Sequence, residues 1–132
     1  MISRWLLGLL GLLQLINGLW MLLAPESWYA AVPGVTLEGP FNHHFIGDIG
    51  FAFIASGAGM LMAFRPGKTA ATLALAGATW PALHACVHVW EWISDGLPSD
   101  PHILVSTGIG VIVVSYLSFA LAWMWAKREG VV

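Results

Sequence analysis

Two imidazoles and a carboxylate stand at helical spacing in His84-Ala85-Cys86-Val87-His88-Val89-Trp90-Glu91. Successive residues of an α-helix advance by about 100°, so His84, His88 and Glu91, at i, i+4 and i+7, share one face. Cys86 points to the other side, where packing is its expected role. Such a stripe serves as a row of metal ligands, as a proton relay, or as a hydrogen-bonded seam between helices. A second pair has the same spacing, His44 and Asp48. His43 is rotated by about 100° from them. The His-x3-His pair is not the metalloprotease motif, because no Glu directly follows His84 and no third ligand pattern appears downstream.

The elements that must position these groups follow from composition. Of 132 residues 58% are hydrophobic and 9% charged, with a mean hydropathy of +0.79, against about 25% charged in a soluble domain. An all-α integral membrane protein follows. A hydrocarbon core of ~30 Å takes about 20 helical residues, so four spans use nearly the whole chain and leave no room for a soluble domain. The spans are predicted at about Trp5–Ala24, His43–Phe64, Thr69–Ile93 and His102–Ala126, a single four-helix bundle. The first is too long for the apolar region of a signal peptide and lacks a small-x-small cleavage site. Its Gly11, Gln14, Asn17 and Gly18 fall on one side, where Gln14 and Asn17 are expected to hydrogen-bond to other helices.

Local signals refine these limits. Between Pro25 and Asn42 a short surface helix and turns are expected, with Trp28 and Tyr29 as interfacial anchors. Asn42 reads as an N-cap, and Asp100 with Pro101 as N-cap and first helical residue. Arg65-Pro66-Gly67-Lys68 is a tight basic turn, and Pro81 is expected to kink the third span just before His84. Gly47, Gly50, Gly57, Gly59, Gly108 and Gly110 permit close helix approach.

Charge sets the sidedness. Arg4, Arg65, Lys68, Lys127 and Arg128 are all five basic residues, and for four spans they fall on one side. Both termini are therefore expected in the cytoplasm. All five histidines and Glu26, Glu38, Asp48, Glu91, Asp95 and Asp100 then lie toward the outer side, where no Lys or Arg is available. At ~1.5 Å rise per residue, Asp48 sits about 6 Å below His44 and His84 about 6 Å below His88. Antiparallel packing is thus expected to set His44 beside His88 and Asp48 beside His84.

A carboxylate one turn inside hydrocarbon costs several kcal/mol unless paired or protonated, so Asp48 needs a partner. The expected answer is a transition metal, Cu, Zn or Fe, held at the outer end of the bundle. His44, His84 and His88 are the first ligands, Asp48 a ligand or an acceptor for an imidazole N–H, and Glu91 and His102 additional ligands. Haem fits less well, since its propionates usually find basic groups. Quinone binding by a histidine or Asp48 stays open, as does a cofactor-free polar network in a subunit of a larger membrane complex or homo-oligomer. Trp80, deeper than the belt tryptophans, is placed to line a pocket under His84. The net charge of -2 and the lack of a basic cluster leave no footing for nucleic acid.

The runs Leu22-Leu23-Ala24-Pro25-Glu26-Ser27-Trp28-Tyr29, Pro33-Gly34-Val35 and Gly39-Pro40-Phe41-Asn42-His43-His44-Phe45, with Asp48-Ile49-Gly50, resemble small bacterial four-helix membrane proteins that are loosely similar to the DoxX-like proteins. The resemblance covers the first half best and implies a four-span bundle in a bacterial inner membrane, with His44 and Asp48 on matching positions. Gly47 stands where the group often has a basic residue, which leaves Asp48 without an adjacent cation.

Overall fold

The computed structural model describes residues 2–132, Ile2 by its backbone alone. Helix α1 (Ile2–Leu23) is followed by the short α2 (Pro25–Ala31) and a 3-10 turn at Val35–Leu37. Helix α3 (His43–Leu61) ends in a second 3-10 turn, Met62–Phe64, and α4 (Lys68–Ser94) returns. The last crossing is composite: α5 (Pro101–Val105), a π-helical segment Ser106–Val113, and α6 (Val114–Arg128). Four helices, Ser3–Leu23, His43–Phe64, Lys68–Ser94 and Pro101–Arg128, are long and apolar enough to cross a membrane. The protein is a multi-pass membrane protein with no strand among its described residues.

The cap residues act as their chemistry dictates. The Asn42 side chain accepts from the Phe45 amide at 3.0 Å, and Asp100 accepts from the His102 amide at 2.7 Å, each satisfying a donor that the first helical turn leaves free. Gly67 and Gly96 turn the chain with φ of 100° and 92°. Helix α4 continues through Pro81, which is itself buried.

Packing inverts the soluble pattern. The buried face of α4 is Ala70, Ala71, Ala74, Gly77, Ala78, Pro81, Ala82 and Ala85, while large residues such as Leu9, Leu12, Ile16 and Leu19 on α1 point outward. Without a hydrophobic drive between helices in lipid, small residues matter because they let backbones approach. The α1–α3 seam is the tightest case: a Cβ on Gly18 would lie 2.5 Å from the Gly50 carbonyl, and one on Gly57 2.6 Å from the Gly11 carbonyl. Gly59 and Gly77 make the corresponding approach of α3 to α4.

Both termini lie at one end, with all the basic residues. There Arg4 donates Nε to the Ala63 carbonyl at 3.1 Å and Nη2 to the Arg65 carbonyl at 2.6 Å, its guanidinium 4.7 Å from the Trp125 ring centroid. One side chain thereby ties the start of α1 to the end of α3 and to α6. The opposite end carries α2, the 32–42 loop and the histidines.

Around the bundle α1 contacts α3, α3 contacts α4, α4 contacts α6 and α6 contacts α1. Helices α1 and α4 therefore stand diagonally opposed. The π-helical segment packs on α4 and has no comparable contact with α1. At the histidine end the fourth crossing has drawn away from the first, which opens a gap inside the bundle.

Candidate functional site

A cavity of about 1210 Å³ fills that gap. It exceeds the ~300–1,000 Å³ of ordinary small-molecule sites. His84, His88 and Glu91 form its wall on α4; the π-helical segment brings Ser106, Thr107 and Gly110; α1 brings Gln14 and Asn17 from across the bundle. The mouth is framed by α2 and the following loop, where Tyr29 donates its hydroxyl to the Gly39 carbonyl at 2.6 Å. Trp28 donates Nε1 to Asn17 Oδ1 at 3.0 Å and so pins α2 onto α1. Counted from the end of α4 at ~1.5 Å per residue, His84 lies about 15 Å deep.

The stripe forms a hydrogen-bonded chain. His84 Nε2 lies 3.4 Å from His88 Nε2, and His88 Nδ1 lies 2.9 Å from Glu91 Oε2. With both imidazoles neutral, one assignment satisfies both contacts: His84 donates Nε2–H to His88, which donates Nδ1–H to Glu91. Below the chain the His84 ring lies 5.3 Å from Trp80 and 6.0 Å from Phe53, both aromatic contacts that hold it toward the cavity. Trp80 itself does not line this cavity; its Nε1 is buried without a partner beside a shallow groove between α3 and α4.

The pairing expected across α3 and α4 does not form. His44 and Asp48 reach each other at 3.5 Å, but their side chains are 91% and 64% exposed and lie outside the cavity lining. The cause is rotational: α3 turns Gly50 and Gly57 to α1 and Gly59 to α4, which leaves His44, Asp48 and Phe51 on the outward face. The register differs too. Gly59 meets Gly77, and Phe53 lies between Trp80 and His84, so Asp48 falls level with His88 rather than His84. His43 and His102 are exposed and take no part. Of the six candidate ligands, the fold brings together His84, His88 and Glu91. Among the described residues no set of three or more His, Cys, Asp or Glu side chains is arranged to hold a metal ion.

Other expectations also resolve. Asn17 finds its partner in Trp28, whereas Gln14, 8% exposed, makes no side-chain hydrogen bond among the described residues. Ser115 on α6, 2% exposed, also lacks one, and both residues line the cavity. Cys86 is exposed rather than packed inside, with Sγ 3.3 Å from the Tyr116 hydroxyl. Gly108 does permit close approach, to the Trp92 ring, but a Cβ on Gly110 would meet nothing within 4 Å. Gly110 borders the gap between α1 and the π-helical segment.

The cavity and Ser115 escaped the sequence reading. The signal for them was the pair of glycines in a β-branched run, Ser106-Thr107-Gly108-Ile109-Gly110-Val111-Ile112-Val113, a composition that holds an α-helix weakly. The π form is rare and appears frequently at functional sites. Compared with family models, with curated proteins and with solved structures, the chain finds no match in any of the three.

Proposed function

We propose that this protein is a membrane-embedded binding protein, which takes an amphipathic small molecule into the cavity beside α4 and holds its polar group at His84, His88 and Glu91. The observation that carries this reading is the cavity itself: a largely apolar space of about 1210 Å³ on which a hydrogen-bonded His–His–Glu chain converges. A purely structural seam would spend those polar groups on a facing helix. Here they face space.

The five basic residues gathered at the end that carries the termini support a cytoplasmic location for both termini, with the cavity mouth on the periplasmic side of a bacterial inner membrane. The resemblance to small DoxX-like bacterial membrane proteins agrees with that placement.

The test uses N-phenyl-1-naphthylamine, a neutral amphipathic fluorophore, with the full chain in dodecyl maltoside. Saturable uptake of about one molecule per chain is expected, weakened at least tenfold in His88→Ala and in His84→Ala. Absence of a saturable component, or uptake by both variants equal to that of the wild-type protein, would remove the binding reading.

A second reading has its own observation. Two imidazole Nε2 atoms 3.4 Å apart have the spacing of adjacent ligands on a tetrahedral ion with metal–nitrogen bonds of about 2.0–2.1 Å. Glu91, bonded to the other nitrogen of His88, stands where carboxylates orient metal-bound histidines. Copper, zinc or iron bound here by two protein ligands would keep open positions for water or substrate, as a metal-binding or redox subunit requires. Titration with Zn2+ and with Cu2+ reads it directly: a stoichiometry near one, lost in His84→Ala, is expected on this reading, and a stoichiometry near zero removes it.

A further inference from the structure

Resting on the amphiphile-binding reading, we propose that the cavity selects lipophilic cations. Three carboxylates, Glu38, Glu91 and Asp95, stand on its lining, and no lysine or arginine does. The imbalance is not local chance, because all five basic side chains sit at the opposite end of the bundle. No cation of the protein is in reach to neutralise these groups, and the low-dielectric walls lengthen the range over which their field acts.

Two further features point to a ligand of this kind. Trp20, Trp28, Tyr29 and Trp92 line the outer part of the cavity, and their ring faces attract a cation that has lost its water. Deeper in, Gln14 and Ser115 are buried by more than nine-tenths, make no side-chain hydrogen bond among the described residues, and line the cavity. Their oxygens are acceptors at mid-depth, where a positively polarised ligand atom would find hydrogen-bond partners away from water. Glu91 is the innermost of the three carboxylates. Its Oε2 lies 2.9 Å from His88 Nδ1, so it is the carboxylate nearest the His84–His88 pair.

Anions of the same size and lipophilicity meet the same walls with the wrong sign. An entering anion would face Glu38 and Asp95 at the mouth and Glu91 inside, with no donor other than neutral groups. Discrimination by charge, at fixed shape, is therefore the property that defines this site.

Tetraphenylphosphonium and tetraphenylborate, matched in shape and opposite in charge, provide the test. Each is used to displace N-phenyl-1-naphthylamine from the full chain in dodecyl maltoside. The phosphonium is expected to displace the probe at a concentration at least tenfold lower than the borate. In Glu38→Gln/Asp95→Asn, which leaves His84, His88 and Glu91 in place, the ratio should fall at least threefold while the neutral probe still binds. Retained probe binding also shows that the variant is folded. Equal potency of the two ions on the wild-type protein, or an unchanged ratio in Glu38→Gln/Asp95→Asn, overturns the cation inference and leaves the amphiphile reading standing. Failure of the neutral probe to bind wild-type protein overturns that reading, and this one with it.

Discussion

Gly57→Leu is expected to separate the first two spans and to lower stability by roughly 3 kcal/mol or more, at the upper end of overpacking costs. Overpacking is tolerated when a neighbouring side chain can swing aside. At Gly57 the atoms in the way are the Gly11 carbonyl oxygen at 2.6 Å and the Leu15 amide nitrogen at 2.6 Å, and backbone cannot swing. The whole of α1 must move, which also withdraws Gly18 from the Gly50 carbonyl. Unfolding of purified protein in mixed micelles with increasing dodecyl sulfate reads the effect as a lower midpoint. A midpoint equal to wild type would mean that the α1–α3 seam is not closed by glycine contact.

The same substitution class at Gly110 is expected to do the reverse. Gly110 does not have a positive φ, and an added Cβ meets no atom within 4 Å. Gly110→Trp should therefore leave the unfolding midpoint unchanged or slightly raised, since glycine costs up to ~1 kcal/mol against alanine inside a helix. Gly110 lines the cavity, and an indole there is expected to fill the gap between α1 and the π-helical segment. Uptake of N-phenyl-1-naphthylamine should fall at least tenfold in this stable variant. Undiminished uptake would show that the probe neither enters through that gap nor occupies the cavity.

Each legible feature of this molecule had a local cause. Four spans are written in apolar runs of membrane length, Asn42 and Asp100 cap because their side chains reach amides of the first helical turn, and His84, His88 and Glu91 share a face because 3.6 residues make a turn. The rotation of α3 has no such local cause. His44 and Asp48 share a face just as clearly, but which way that face turns depends on Gly50 and Gly57 seating against α1, a contact between segments some 40 residues apart in sequence. The register slipped by about a turn for the same reason, because Gly59 and Gly77 decide where α3 and α4 cross. The cavity was least legible of all. It arises where Ser106–Val113 adopts a π-helix and leaves α1, and only then do Gln14 and Ser115 acquire a common space.

The placement of the glycine seam has a consequence for how the molecule is made. It joins the first two of the four apolar helices, α1 and α3, which emerge from the ribosome before α4, and close packing of small residues is what drives helix pairing once both are in lipid. A paired hairpin can therefore exist before α4 emerges. The last crossing then docks by its α6 half on a finished platform, with its π-helical half the least anchored part of the bundle. Newly made chains should pass through a stage in which the inner half is assembled and the outer half still open to lipid, so that a molecule dissolved in the membrane has its easiest entry during biogenesis.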